Sequence, residues 1–538
     1  MRLLKVGLIV TGLVCLGGSG RVVNASTTDI YVAQAVAGAN TGMDCADARS
    51  LSSLASSDWA AGTTIHLCGT ITSTVTVLAS GKAGSVITVK WEPGARISQP
   101  VAQAINLNGT KGYLLFDGGS ACGPTTVCNA VESMHQTSYA TGQTGIIEAT
   151  ANGSALPNHN PTSQAFYGCD GCHDIEIRNL IIRNLYQHTS VSDATSSADS
   201  GSFAFECIAG SSSGCAGGTV SIHDSTIHDN GNAIGFSHVT VATTFNVYAI
   251  DFYHNNWAIA VTGTGQRTVN FHDNHIHDVT NWDTTADVFH HNGMHIFMTS
   301  STDSLGINFY NNLSDGDWGN CCTTSTGIFV DTGGWTTPNN VNVYNNLAIQ
   351  YPGNLAPAWE YAAHSGIFAN NMALGVANTP SNTNAIVIGA TSTNITLENN
   401  VIQGYGQYLY VQPGANFVVF DYNSYGPAGM SGVNKWEYET AGSDTFSGWQ
   451  AVCSCDAHGQ YNSNLVLSSL GTPQSGSPLI GAGANLTFLG ISPLDSGTTA
   501  GGSRLPNTRP ASGAWDAGAY QFASGLLSPP VNLTASPR

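Results

Sequence analysis

Charged side chains are scarce in this sequence. Asp, Glu, Lys and Arg make up 9% of 538 residues, against about 25% in an ordinary soluble chain. That shortage excludes coiled coils and charge-laced helical bundles, whose surfaces need many more ionic residues. Lys and Arg are rarest, 15 against 34 acids, for a net charge of −19. Nucleic acid is therefore an unsuitable partner, and a polyanionic substrate would need a bound cation or a local basic patch. Long apolar runs are missing after residue 25, so no membrane insertion is expected beyond the leader. What is abundant is Gly, 62 residues, in a chain that is 42% hydrophobic and 9% aromatic. A disordered chain would not carry so much apolar and aromatic content.

The first 25 residues have the pattern of an export signal: Arg2 and Lys5, an apolar stretch from Val6 to Leu16, then Val23-Asn24-Ala25 as a small-residue cleavage site. Val14 precedes Cys15, which favours plain secretion over lipid anchoring. Cleavage after Ala25 removes three positive charges (Arg2, Lys5, Arg21) and no acid, taking the net charge to −22. Twelve cysteines remain in neighbouring sets: Cys45 and Cys68, Cys122 and Cys128, Cys169 and Cys172, Cys207 and Cys215, Cys321 and Cys322, Cys453 and Cys455. In an oxidising compartment these read as local disulfide staples, although sequence alone does not fix the connectivity. Asn108, Asn312 and Asn394 stand in N-glycosylation sequons that a eukaryotic host would modify.

A repeat runs through the middle. Val220-Ser-Ile-His-Asp224, Ile250-Asp-Phe-Tyr-His254, Val269-Asn-Phe-His-Asp273, Ile307-Asn-Phe-Tyr-Asn311, Val341-Asn-Val-Tyr-Asn345 and Ile395-Thr-Leu-Glu-Asn399 share one alternating pattern ending in a polar turn, with a further copy at residues 366–371. A second strand follows most copies, with Ile234, Ile259, Met294, Ile328 and Ile386 as its inward file. One such coil cannot bury its apolar face alone, so the copies must stack as a solenoid.

On these strands and turns the chain resembles the right-handed parallel β-helix superfamily typified by pectate lyases and polygalacturonases, over roughly residues 60–430. Asp29-Ile-Tyr-Val with Gly62-Thr-Thr-Ile-His-Leu looks like the opening segment of such proteins, and Ser477-Pro-Leu-Ile-Gly with Trp515-Asp-Ala-Gly-Ala-Tyr520 like their closing one. The expected organisation is an all-β right-handed parallel β-helix: signal peptide 1–25, cap region 26–60, β-helix 61–430, closing segment 431–523 and linker-like tail 524–538. The resemblance implies a secreted carbohydrate-active protein without choosing its chemistry. Polygalacturonase elements such as Asn-Thr-Asp and Gly-His-Gly are missing, and Arg504-Leu-Pro-Asn-Thr-Arg509 matches a pectate-lyase element only in letters, since it lies in the closing segment.

Chemistry is expected in a groove on the second strand. Its outward column is read as Gly235, Ala260, His295, Phe329 and Val387, with small residues leaving open floor beside the imidazole. The neighbouring column is read as Ser237, Thr262, Phe297 and Asp331, joined by Glu206 on the preceding coil. The catalytic candidates are Asp287, His290, His291, His295 and Asp331. Asp287, His290 and His291 belong to a loop that also carries Trp282 and Asp283, and together they have the donor types for a Zn or Mn site. On the first strand the outward column is read as His223, Tyr253, His272, Tyr310, Tyr344 and Glu398, rings that suit sugar stacking or simply stack on one another. His228-Asp229 and His277-Asp278 are either bases held by carboxylates or turn caps.

The substrate-binding candidates are Glu206, Trp257, His272, Trp282, Tyr310 and Phe329. The leading expectation is a monomeric glycoside hydrolase acting on a polysaccharide, because the acidic charge favours a neutral glycan. The alternatives are a Ca2+-dependent polysaccharide lyase and a non-catalytic adhesive protein.

Overall fold

The computed structural model describes residues 28–119, 145–150, 163–185, 203–207, 214–279, 291–318, 326–350, 358–375, 384–429, 434–490 and 509–522. Each coil carries three strands, and each strand pairs in parallel with its counterpart one coil on. On the first face the ladder climbs through Arg267–His272, Ser304–Tyr310, Asn339–Tyr344, His364–Ala369 and Thr393–Glu398. A second, shorter face runs through His275–His277, Leu313–Asp315, Leu347–Ile349, Met372–Leu374 and Val401–Gln403. The third comprises Asn292–Met298, Thr326–Val330, Trp359–Tyr361, Asn384–Ile388 and Gln407–Val411. Thr219–Val241 and Thr243–Thr264 each pass through all three faces in one coil. The fold is a parallel β-helix. Among the named strands the one antiparallel pairing joins Trp436–Tyr438 to Ala441–Ser443.

The inward file of the third face is Ile234, Ile259, Met294, Ile328, Trp359 and Ile386, all 1% exposed or less. Successive coils lie ~4.8 Å apart, so each inward side chain packs on the ones above and below it. Polar groups also stack. Between the first and second faces the chain turns through one left-handed residue, as at Asn311 (φ 58°), Asn345 (φ 56°), Asn370 (φ 53°) and Asn399 (φ 60°). The next residue is a buried Asn. Asn274, Asn312, Asn346, Asn371, Asn400 and Asn423 form a continuous ladder. In the first five, Nδ2 donates to the Oδ1 of the Asn one coil on, at 2.9–3.2 Å, and to a backbone carbonyl of the preceding coil. The ladder ends on Asp456, which accepts from Asn423, Tyr425 and Trp449. Asn312 is therefore fully buried, which corrects its reading as a glycosylation acceptor, whereas Asn108 and Asn394 are exposed.

The staples Cys45–Cys68, Cys169–Cys172, Cys207–Cys215 and Cys453–Cys455 are formed as neighbouring pairs, as expected for an extracellular protein. The sets Cys122/Cys128 and Cys321/Cys322 lie outside the described residues. No described helix is long and apolar enough to cross a membrane.

The closing segment lies against the first and second faces, with Leu465, Leu479 and Tyr520 clustered on Leu347, Met372 and Val401 of the second. Trp515 and Leu486 cluster with Tyr344 and Ala369, and the Asn399 side chain exchanges hydrogen bonds with Ala484. Arg509 donates to Asn345 Oδ1 and to the carbonyls of Asp516 and Gly518, so the arginine of the pectate-lyase-like letters holds this segment down. Its partner in that match, Arg504, lies outside the described residues.

Asn346→Ala is expected to lower stability by about 1–3 kcal/mol for each ladder partner it leaves unsatisfied. Calorimetry of the variant beside the native protein would show a clearly lower melting temperature, and an unchanged one would mean that the ladder contributes nothing net.

Candidate functional site

Strand register decides which outward side chains become neighbours. On the third face Glu206 pairs with Gly235, Gly235 with Ala260, Ala260 with His295, His295 with Phe329, Phe329 with Glu360 and Glu360 with Val387. The expected column is thus present, with two changes. Glu206 belongs in it, rather than in the Asp331 column, because Phe205 and Cys207 are the inward residues of that strand. Glu360, which sequence reading passed over, fills the step between Phe329 and Val387.

The floor beside His295 is not open. A Cβ on Gly235 would lie 2.7 Å from Cε1 of Phe203, so a ring covers the position that glycine leaves bare. His295 itself is 5% exposed. Its imidazole meets the rings of Trp257, Phe297 and Phe329 edge to face at 4.8–5.0 Å. Trp335 packs against Phe297 at 5.3 Å and is 42% exposed, so this aromatic cluster opens to solvent there. Met294 and Ile296 point inward and are fully buried, which places His295 on the outer side of the sheet.

Asp331 follows the neighbouring strand. Its backbone N–H donates to Ile296, and its Oδ1 accepts from Gly333 at 2.8 Å. Glu206 accepts from Gln164 Nε2 at 3.0 Å, and burial pushes its carboxyl well above the usual range. Glu206 and Asp331 remain four coils apart, ~19 Å, too far to act as a pair. His291 is buried. Asp287, His290 and Trp282 lie outside the described residues, as does the loop reading of a Zn or Mn site that used them.

The first-face column also needs a correction. Tyr248, not Tyr253, stands between His223 and His272, because residues 245–248 pair with 220–223 and 269–272. The result is a stack, His223–Tyr248–His272–Tyr310–Tyr344, with centroids 4.5–5.0 Å apart and planes within 5° of parallel. His272 and Tyr310 spend their faces on one another, which leaves edges rather than faces for a sugar. Glu398 stands two coils beyond Tyr344 in this column, with Asp421 on the next coil. It is 5% exposed, and its Oε2 is buried with no hydrogen-bond partner among the described residues.

Tyr253 belongs to the second face, in the outward column Glu148, Arg183, His228, Tyr253, His277 and Asp315. Sequence reading missed this face because its strands are only three residues long in most coils. Arg183 donates twice to Glu148 Oε2, at 2.6 and 2.9 Å. Asp229 and Asp278 turn the chain in left-handed backbone, and each holds the ring beside it, His228 at 2.6 Å and His277 at 2.8 Å. Turn residue and imidazole anchor are therefore one role. Burial alone would raise Asp229, but hydrogen bonds from His228 and His254 outweigh it and hold the carboxyl well below the usual range.

Further along this face Asp251 Oδ1 lies 3.2 Å from His275 Nδ1 and 3.1 Å from His277 Nε2. Burial opposes charge on these groups too, yet the mutual hydrogen bonds win: Asp251 is held far below the carboxylate range and His277 is pushed up to about 10. A cleft near the start of the helix, lined by Gln34, Leu51, Leu54, Ser73, Thr76 and Leu78 among others, holds no titratable side chain.

No protein-family model and no curated protein matches the chain. Solved structures do align with it. Pectate lyase Pel9A aligns at 13% identity and a TM-score of 0.35, over 93% of this chain and 98% of its own. A GH136 lacto-N-biosidase from Eubacterium ramulus gives 10% and 0.37, over 77% and 67%. XylC in complex with xylose gives 11% and 0.30, over 77% and 86%. At such scores these likenesses carry no argument about activity, and the fold rests on the strand pairing above.

Burial, helped by the charge of Asp421, pushes the Glu398 carboxyl up to about 7 from an ordinary 4.5. Because the folded value is raised, its contribution to stability is complete below pH 4.5 and is lost as pH rises through about 7. Melting curves across that window should decline more steeply for the native protein than for Glu398→Gln. Parallel curves would mean that this carboxyl is not buried as described.

Proposed function

We propose that the protein is an exported glycan hydrolase that binds its substrate along the third face. The observation that carries this reading is the register that sets Asp331 one coil beyond His295 and Glu360 one coil beyond Asp331. Their Cα positions are two residues and one coil apart, ~8 Å along the diagonal. From Cα atoms this far apart the two carboxyl groups can reach the separation of about 6.5–9.5 Å that inverting hydrolysis requires. Asp331 Oδ1 already accepts an amide proton from Gly333, which suits it to the role of base activating water. Glu360, half-buried above Phe329, is then the acid that protonates the leaving oxygen.

Substrate class follows from the surroundings. Among the described residues the outward column Asn106, Tyr167, Glu206, Gly235, Ala260, His295, Phe329, Glu360, Val387, Tyr410 and Glu437 contains no Lys or Arg. Nothing there would compensate a uronate chain for the net charge of −19. Trp257, Phe297 and Trp335 supply apolar ring surface of the kind sugars stack on. A neutral polysaccharide fits this surface better than a polyuronate, which supports hydrolysis over calcium-assisted elimination.

The test is a chromatographic screen of neutral and acidic polysaccharides with the secreted form. New reducing ends of inverted anomeric configuration are expected from a neutral glycan. Asp331→Asn and Glu360→Gln should each lower turnover by on the order of 10²–10⁴ with unchanged melting temperature, and Trp335→Ala should raise KM more than it lowers kcat. Products absorbing as unsaturated uronates would replace this reading with a lyase, and no cleavage of any polymer would replace it with glycan binding alone.

A further inference from the structure

A second constellation lies on the second face, whereas Asp331 and Glu360 belong to the third. Two imidazole nitrogens converge on one carboxylate oxygen: His275 Nδ1 at 3.2 Å and His277 Nε2 at 3.1 Å from Asp251 Oδ1. All three ligand atoms lie within 4.8 Å of one another. The remaining nitrogen of each ring is held by another carboxylate, His275 Nε2 by Asp315 at 2.8 Å and His277 Nδ1 by Asp278 at 2.8 Å. Asp278 is itself fixed, because its Oδ1 accepts the Asp317 N–H at 2.9 Å.

We propose that Asp251, His275 and His277 form a site for a divalent first-row transition ion, with Asp278 and Asp315 as the outer carboxylates that orient the two imidazoles. Three physical arguments converge. Metal bonds of ~2.0–2.1 Å to nitrogen and oxygen place adjacent ligand atoms about 3.0–3.4 Å apart in octahedral or tetrahedral geometry, which the 3.1 and 3.2 Å separations approach. A ligating histidine nearly always donates its other N–H to a carboxylate or carbonyl, which fixes its tautomer and raises its basicity; both rings here have that partner. Two imidazoles and one carboxylate, with coordination positions left over, are the donor set of catalytic Zn2+ and non-haem Fe(II) centres rather than of Ca2+ or Mg2+.

The setting adds rigidity and access. All three ligands stand on β-strands of adjacent coils, paired Asp251 to His275 and Tyr253 to His277, and His277 stacks on Tyr253 at 5.2 Å. Preorganised ligands of this kind lose little freedom on binding. Each ligand side chain is 21–25% exposed, so an ion held there would keep at least one position toward water.

The test uses the full exported chain with its disulfides intact, stripped with chelator, then titrated with Zn2+ by calorimetry and with Co2+ by visible absorption. One equivalent should bind, with a Co2+ spectrum of low coordination number and a Zn2+-dependent rise in melting temperature. His275→Ala and His277→Ala should each weaken binding at least about 100-fold, and Asp315→Asn about 10–100-fold while stoichiometry stays at one. If the histidine variants fail to fold, Asp315→Asn and Asp278→Asn carry the test alone. Folded native protein that binds neither ion, or binding unchanged in these variants, would overturn the proposal and leave the cluster as ion pairs. Neither result depends on whether a glycan is cleaved.

Discussion

The stacking of one coil's backbone on the next, in register at ~4.8 Å, is the constraint on which the rest of this structure depends. The asparagine ladder makes that register hard to slip. Each buried Asn must satisfy a carboxamide oxygen and nitrogen away from water, and the partners at the right distance are the Asn of the next coil and a carbonyl of the preceding one. A shift of one residue would leave a file of buried amides unsatisfied, each at a cost of about 1–3 kcal/mol. Ending the file on Asp456, with Tyr425 and Trp449 as further donors, closes the ladder without an orphan oxygen.

The same spacing explains the outward faces. Rings repeated at one position come to lie 4.5–5.0 Å apart and parallel, so His and Tyr are stabilised by stacking before any ligand is considered. Carboxylates repeated beside them meet imidazoles from adjacent coils. In a chain so poor in Lys and Arg, histidine supplies much of the positive partner surface, and the second face gathers Asp229, Asp251, Asp278 and Asp315 around His228, His254, His275 and His277. The electrostatics of this face arise from repetition, and its chemical capacity from where two repeats bring three donors to one point.

Particular residues show how far local pattern carries. The inward file of the third face and the vertical order Gly235, Ala260, His295, Phe329 were legible, because alternation and turn residues fix parity within a long strand. Tyr253 was displaced by one face because residues 245–248 and 250–253 carry the same alternation, and only pairing to Val269 tells them apart. Glu206 was set in the wrong column by two residues, because alternation tells which way a side chain points but not its register, and only the pairing with Gly235 fixes that. Phe203 over Gly235 could not be read at all, since the ring and the gap it fills are 32 positions apart in the chain.

Sequence by itself determined that this chain is a β solenoid with local staples, since periodicity, glycine content and paired cysteines are properties of short segments. It also named His295 and Asp331 as outward neighbours, because strand alternation is a local rule. Only the tertiary structure decided that Glu360 stands beside Asp331, that aromatic rings close the space around His295, and that Asp251, His275 and His277 meet. Loops of irregular length between strands hide the count of residues per coil, and that count is what brings distant side chains to the same height on the helix.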